Sequence, residues 1–260
     1  MADDIIQVAD GFWNIRGSFK IGGILDVGTH ASLVRRDNGK YLFLDSYTLG
    51  EAEKRRVDEI TRGGKDVEAI LNLHPFHTVH VKAMHAHFPR ARLHGTSRHL
   101  SRFPDLPWEE TPIEDTAGQA AFAGEFDFAV PRGVDFISAN ENIHFSSVIA
   151  LHRASQTIHS DDTLMYIRLP RLLRFTGLHD KVTFHMTLPQ ALEKRSGAAQ
   201  DFKQWARELA DRWKDAQNLC AAHTAPLLGR ENSGAPVSAR ILGALDKVEK
   251  TLRAHERKYG

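Results

Sequence analysis

Leu71-Asn72-Leu73-His74-Pro75-Phe76-His77-Thr78-Val79-His80 joins two stretches of different period. Before it, Val67 to Leu73 is an apolar run of strand length. After it, Val81, Met84 and Phe88 recur at the spacing of one buried helix face. The reading is a strand, a loop carrying three histidines within seven residues, and a helix. Imidazole is the commonest protein ligand for metals such as zinc, and open α/β sheets present their sites at strand C-terminal edges. One histidine here would read as solvated or core-packed; three point to metal binding.

Upstream, Ile5 to Val8 and Phe12 to Ile15 read as short strands around Asp10-Gly11. Ala31 to Arg36 and Lys40 to Leu44 form a second pair across Asp37-Asn38-Gly39, a strong hairpin signal. The glycine-rich loop from Gly17 to His30 could border a site, and His30 itself reads as a surface histidine. Leu44 runs into Asp45, an acid that is costly at the end of an apolar strand unless partnered. Asp45 therefore either turns to solvent or orients a metal-bound histidine. Thr48-Leu49-Gly50-Glu51 reads as a capping box opening a helix to about Arg62, stopped by Gly63-Gly64. With a further strand at Ala91 to His94, this βαβαβ run requires a largely parallel sheet under helices.

Downstream, residues 95 to 133 read as irregular, with Trp108 covering core, and strands return at Val134 to Ile137, Ser147 to Leu151 and Thr157 to His159. Leu169-Pro170-Arg171-Leu172-Leu173-Arg174-Phe175 admits a substrate-facing insertion, a homo-oligomer contact or a membrane-touching patch. A short packed helix with solvated arginines is the preferred reading. Ala199 to Gln217 is an amphipathic helix, Asn218 to Ala222 a strand ending at His223, and a last helix starts near Pro236.

Strand-end acids and histidines thus recur in order: Asp45, the cluster His74 to His80, His144, Asp161-Asp162 and His223. This order resembles the metallo-β-lactamase superfamily over nearly the whole chain. The resemblance implies one domain over 1–260, folded as a four-layer αββα sandwich of the α/β class. It also implies a metal-dependent hydrolase acting on an ester, lactone or related small-molecule bond. By resemblance His74, His77 and His144 surround one ion, while Asp162, His223 and His80 attend a second. Asp162 matches the acid that bridges two metals, and Asp161 stands where the family has glycine. Asp162 and His74 are the expected catalytic pair. Zinc, as one or two ions, is the expected cofactor, and iron or manganese would also suit histidine and carboxylate ligands.

The departure lies in the main motif. The family pattern is HxHxDH, whereas this chain reads His74-Pro75-Phe76-His77-Thr78-Val79-His80, without the aspartate. His77 or Phe76 falls at the second histidine, depending on where one residue is inserted. The same fold without catalysis, serving a structural or binding role, is the alternative. Asp161 is expected to point away from the ion or to bond a loop, since adjacent side chains leave a strand on opposite sides.

Bulk properties narrow the partners. A formal charge of +1 over 260 residues argues against a nucleic-acid-coating surface. The single cysteine, Cys220, excludes an internal disulfide framework and suits a reducing compartment. Met1-Ala2-Asp3-Asp4 lacks a basic, apolar leader, and no apolar run nears the length of a membrane span. A soluble cytoplasmic protein with a small-molecule substrate is expected, with neither nucleic acid nor membrane as partner.

Overall fold

Along Tyr41–Leu44 successive side chains enter different cores: Leu42 and Leu44 join one apolar cluster and Phe43 another. Alternation with both faces buried is the mark of a strand inside a layered molecule. The computed structural model describes residues 4–18, 20–21, 25–26, 28–169, 180–222, 225–232 and 234–260. Fourteen strands occur among these residues. In chain order they are β1 Asp4–Ala9, β2 Phe12–Gly17, β3 Lys20–Ile21, β4 Leu25–Asp26, β5 Thr29–Arg35, β6 Tyr41–Leu44 and β7 Val67–Leu71. Then come β8 Arg92–His94, β9 Phe126–Ala129, β10 Ile149–His152, β11 Thr157–Ser160, β12 Leu164–Ile167, β13 Lys181–Phe184 and β14 Asn218–Ala221.

The first sheet has the order β1-β2-β5-β6-β7-β8, antiparallel up to β6 and parallel from β6 to β8. The second has the order β14-β11-β10-β9, with β14 parallel to β11 and the other pairs antiparallel. Three apolar clusters define the layers. Helices Glu51–Thr61 and Val81–His87 place Val57 and Met84 against Ile15, Leu33, Phe43 and Ile70 on the outer face of the first sheet. Val34, Leu42 and Leu71 meet Phe126, Phe128 and Ala150 between the sheets. Phe202, Trp205 and Leu209 of helix Ala198–Arg212, with Ile241 and Leu245 of helix Val237–Tyr259, cover Leu151, Ile158 and Leu219. The order is helix, sheet, sheet, helix, as expected of an αββα sandwich.

The layer between the sheets changes character along its length. On β2 the inward sequence is Phe12, Asn14, Arg16, and antiparallel β5 answers with Val34, Ser32, His30. On β11 His159 faces inward too, with Asp161 just past the strand end and Asp45 past the end of β6. One end of the inter-sheet space is hydrocarbon; the other is a buried polar network.

Several local expectations are corrected. Val134 to Ile137 is not a strand: Val134 makes a single bridge to Leu192, and the edge strand is β9, eight residues earlier. There Phe126 and Phe128 face the inter-sheet core, while Asp127 turns outward to accept the Trp213 indole N–H at 2.7 Å. The stretch 95–133 also holds helix Ser97–Arg102, opened by a reciprocal Thr96–His99 cap, and helix Thr116–Gln119. The first helix has no side-chain cap and starts after Gly50; Thr48 instead pairs its Oγ1 with Nδ1 of His80 at 2.8 Å. Pro236 caps the last helix from just outside it. Beyond 163, β12 and β13 form an antiparallel pair. Of the stretch Leu169 to Phe175, all but Leu169 lies outside the described residues. No described helix is long and apolar enough to cross a membrane.

Candidate metal centre

The parallel strands bring their C-terminal ends to the polar end of the sandwich. Past β7, the buried Leu73 backbone anchors the histidine loop from both sides: its N–H donates to Asp45 Oδ1 at 2.8 Å, and its carbonyl accepts from Val148 N–H at 3.0 Å. His74 follows, fully buried, and its ring stacks on that of His77 with centroids 3.9 Å apart. Across from them, the turn after β11 delivers Asp162. Its Oδ2 lies 3.4 Å from Nε2 of His74 and 3.5 Å from Nε2 of His77.

These three donors fit a small divalent ion. Ligands held tetrahedrally at about 2.0–2.1 Å stand about 3.3–3.4 Å from one another, close to the two separations found. Nε2 of His74 is buried without a hydrogen-bond partner among the described residues, a costly arrangement for a polar atom unless something else meets it. His74 and Asp162 are closed off, but the His77 side chain is 31% exposed, so the group opens to solvent on one side.

The electrostatics follow from burial and charge. Burial, reinforced by His77, pushes His74 down to about 3, so its ring is neutral. Burial also works against charge on His77, but Asp161 and then Asp162 outweigh it and hold the imidazolium well above the usual range. His77 Nε2 would have to give up a proton to serve as a ligand, so an ion held there would release acid on binding. Asp161 is raised by burial but held well below the usual carboxylate range by His77 and His30.

The other expected residues are placed less simply. His80 stands at the N-terminus of helix Val81–His87, tied to Thr48 and edge-on to Tyr47 at 5.3 Å, outside the group of three. His144 stacks on Phe76 at 4.9 Å and lies 6.1 Å from the His74 ring, with its Nε2 turned to the Glu141 carbonyl. It too stays outside the group. His223 lies outside the described residues. Asp161 also stays outside the group of three: it is fully buried, 3.2 Å from His30 Nε2 and 3.4 Å from Nδ1 of His77, behind the histidine loop. His30, read as a surface residue, is also buried and belongs to this network.

His30, His159 and Asp161 make a second gathering of potential ligands. Here every ring nitrogen already has a partner. His159 Nε2 meets Asp45 Oδ2 at 2.9 Å and its Nδ1 meets Ser32 Oγ at 2.9 Å. His30 Nδ1 meets Asn14 Nδ2 at 3.1 Å. This trio is a hydrogen-bonded support beneath the first group. Asp45 thus orients His159 rather than a member of the His74 group. The signal for these residues was in the sequence as parity: Asn14 and Arg16 share a face with Phe12, and His30 and Ser32 with Val34.

The sequence matches no family profile and no curated protein. Solved structures do match. A metallo-β-lactamase from Erythrobacter litoralis aligns at 14% identity and TM-score 0.59 over 94% of this chain and 96% of its own. One from Hirschia baltica aligns at 13% and 0.55 over 95% and 97%. FIM-1 from Pseudomonas aeruginosa, in a mono-zinc form, aligns at 10% and 0.60 over 95% and 96%. At such identities the likeness is one of fold.

Proposed function

Starting from the metallo-β-lactamase fold that this chain has, we propose that it is a metal-dependent hydrolase of small molecules with an ester, lactone or related bond. The observation that carries the reading is the convergence of His74 Nε2, His77 Nε2 and Asp162 Oδ2 at near-tetrahedral separations on one open edge. A divalent ion there would lower the pKa of a water toward ~7 and polarise the bond under attack. The chain's own part is positional. His74 and His77 offer imidazole nitrogens from a loop pinned by Asp45 and Val148. Asp162 would balance the charge of the ion, and its carboxylate would supply an acceptor for the proton that the water gives up. Zinc is the first candidate, at one ion per chain, because Thr78 and Val79 replace the acid that would strengthen a second site.

A non-catalytic binding role is the second reading, favoured by one contact. The Phe76 N–H reaches Nδ1 of His74 at 3.1 Å and makes it an acceptor. That leaves the ring proton on Nε2, the nitrogen aimed at Asp162. Metal-bound histidines ordinarily donate from the far nitrogen instead.

Elemental analysis and a substrate panel decide between them. Protein purified without added metal is expected to carry about one transition-metal ion and to hydrolyse an activated ester or lactone until a chelator is added. Metal uptake without chelator-sensitive turnover on ester, lactone, thioester, β-lactam or phosphodiester selects the binding role. No uptake on zinc titration removes the hydrolase reading and selects the same fold in a structural or binding role without metal.

A further inference from the structure

The direction of each hydrogen bond beneath His77 follows from groups that cannot reverse. Arginine only donates. Nη1 of Arg16, 3.4 Å from Asn14 Oδ1, therefore makes that oxygen the acceptor and turns the amide nitrogen toward β5. Arg16 is itself anchored across the sandwich by donating to the Ala221 carbonyl at 2.7 Å. On β5 the Asn14 amide nitrogen donates to the Ala31 carbonyl at 3.2 Å, an oxygen that only accepts, and meets Nδ1 of His30 at 3.1 Å. The same amide nitrogen lies 3.2 Å from Ser32 Oγ and accepts from nothing, so a proton on His30 Nδ1 would face a donor; the single proton of the neutral ring sits on Nε2. That proton points at Asp161 Oδ1, 3.2 Å away.

The same oxygen lies 3.4 Å from Nδ1 of His77. At that distance the contact is an electrostatic one, in which the carboxylate stabilises a proton on the nitrogen that faces it. Asp161 Oδ1 therefore favours a proton on His77 Nδ1 and leaves Nε2 to face Asp162. A carboxylate behind the far nitrogen is the usual support of a metal-bound histidine. His74 lacks that support, because its Nδ1 accepts from Phe76.

We propose that Arg16, Asn14 and His30 form a buried positioning relay that aims Asp161 at His77, fixing its proton on Nδ1 and its Nε2 toward the metal. This rests on the metal-site reading above. Arg16, Asn14, His30 and Asp161 are each 5% exposed or less, so water does not compete for these bonds. Asp161 is a positioning residue, doing for His77 what no described carboxylate does for His74.

The test uses the whole chain and two readouts. In ¹⁵N-histidine-labelled protein treated with chelator, ring-nitrogen shifts should report His30 as the Nε2–H form. Zinc affinity, read by competition with a chromophoric chelator, should fall about 10–100-fold in Asp161→Ala. Asp161→Asn, which keeps an acceptor at Oδ1, should recover most of that loss. Circular dichroism and melting of each variant show whether it is folded, and the His30 signal tests the relay without any mutation. Finding His30 as Nδ1–H overturns the proposal, as does zinc binding by folded Asp161→Ala as tight as the parent's. Zinc located on the His30, His159 and Asp161 trio by anomalous scattering also overturns it. A parent that binds no zinc removes the hydrolase reading and the relay's purpose together; a zinc-binding parent matched by Asp161→Ala removes the relay alone.

Discussion

Asp45 holds a backbone φ of 61°, a left-handed conformation that costs a residue with a side chain about 1–2 kcal/mol. Its two carboxylate oxygens explain why an acid sits there: one accepts the Leu73 N–H and the other meets His159 Nε2. Burial, and then Asp161, push the Asp45 carboxyl up to about 6, so above that pH it bonds as the anion. Asp45→Ala strands two buried donors at about 1–3 kcal/mol each and keeps the backbone strain. Asp45→Gly strands the same donors without the strain. In urea unfolding at pH 8, the glycine variant should be more stable than the alanine variant by about 1 kcal/mol. Equal midpoints would show that the backbone there is relaxed. The role of Asp45 as an orienting acid was legible because an ionised group at a strand end needs partners. Its partner was not, because the pairing of His159 with Asp45 joins two sheets 114 positions apart in sequence. His30 was misjudged for a related reason: Gly28-Thr29-His30 looks like loop, yet β5 begins at Thr29 and turns His30 inward.

Among the elements, helix Ala198–Arg212 shows what amphipathic spacing can and cannot tell. Phe202, Trp205, Ala206 and Leu209 are all buried, and the helix ends where Trp213 leaves it to bond Asp127. The apolar stripe was legible from period alone, whereas the end depends on a partner strand distant in sequence. That strand, β9, was hidden because Phe126-Asp127-Phe128 is short and follows Gly124, so its pattern resembles a turn. Phe202 lies edge-on to Phe145 and Phe184 at 5.8 and 5.0 Å, in the cluster that seals the helix to the second sheet. Phe202→Ala should cost about 3–5 kcal/mol, while Gln204→Ala on the exposed face should change stability by no more than about 0.5 kcal/mol. Chemical denaturation of both variants checks the contrast. Comparable losses would mean that the helix is held by its solvent face.

At the scale of the molecule, the buried histidines make acid the weak side of the protein. Burial pushes His30 and His74 down to about 3, and His94 and His99 down to about 4, from an ordinary 6.5. Below pH 6.5 the unfolded chain takes up protons that these four sites refuse when folded. Their contribution is therefore complete above 6.5 and is lost as pH falls toward 4. Asp45 works the other way, since its folded value is raised: its contribution is present below its ordinary 3.8 and lost as pH rises through about 6. His77, whose folded value is raised, also contributes below 6.5 but loses that only as pH rises beyond it. Asp161, lowered, sides with the four imidazoles. The melting temperature of chelator-treated protein should therefore fall from pH 7 to pH 4.5. His94→Asn should flatten that slope, because His94 packs edge-on to Phe122 with no hydrogen-bond partner on Nε2. A melting temperature independent of pH over this range would refute the assignment of neutral buried rings.

The two-ended space between the sheets has a consequence for descent. Cohesion resides mainly in the hydrocarbon end and in the two helix-covered faces, while the candidate ligands are gathered at the polar end. A lineage can therefore rewrite the loop around His74 and His77, or trade one support for another, without placing the architecture at risk. Shape and chemistry are inherited on separate terms. That separation is how 95% of the chain can follow the course of another solved fold in three dimensions while sharing 11% of its residues.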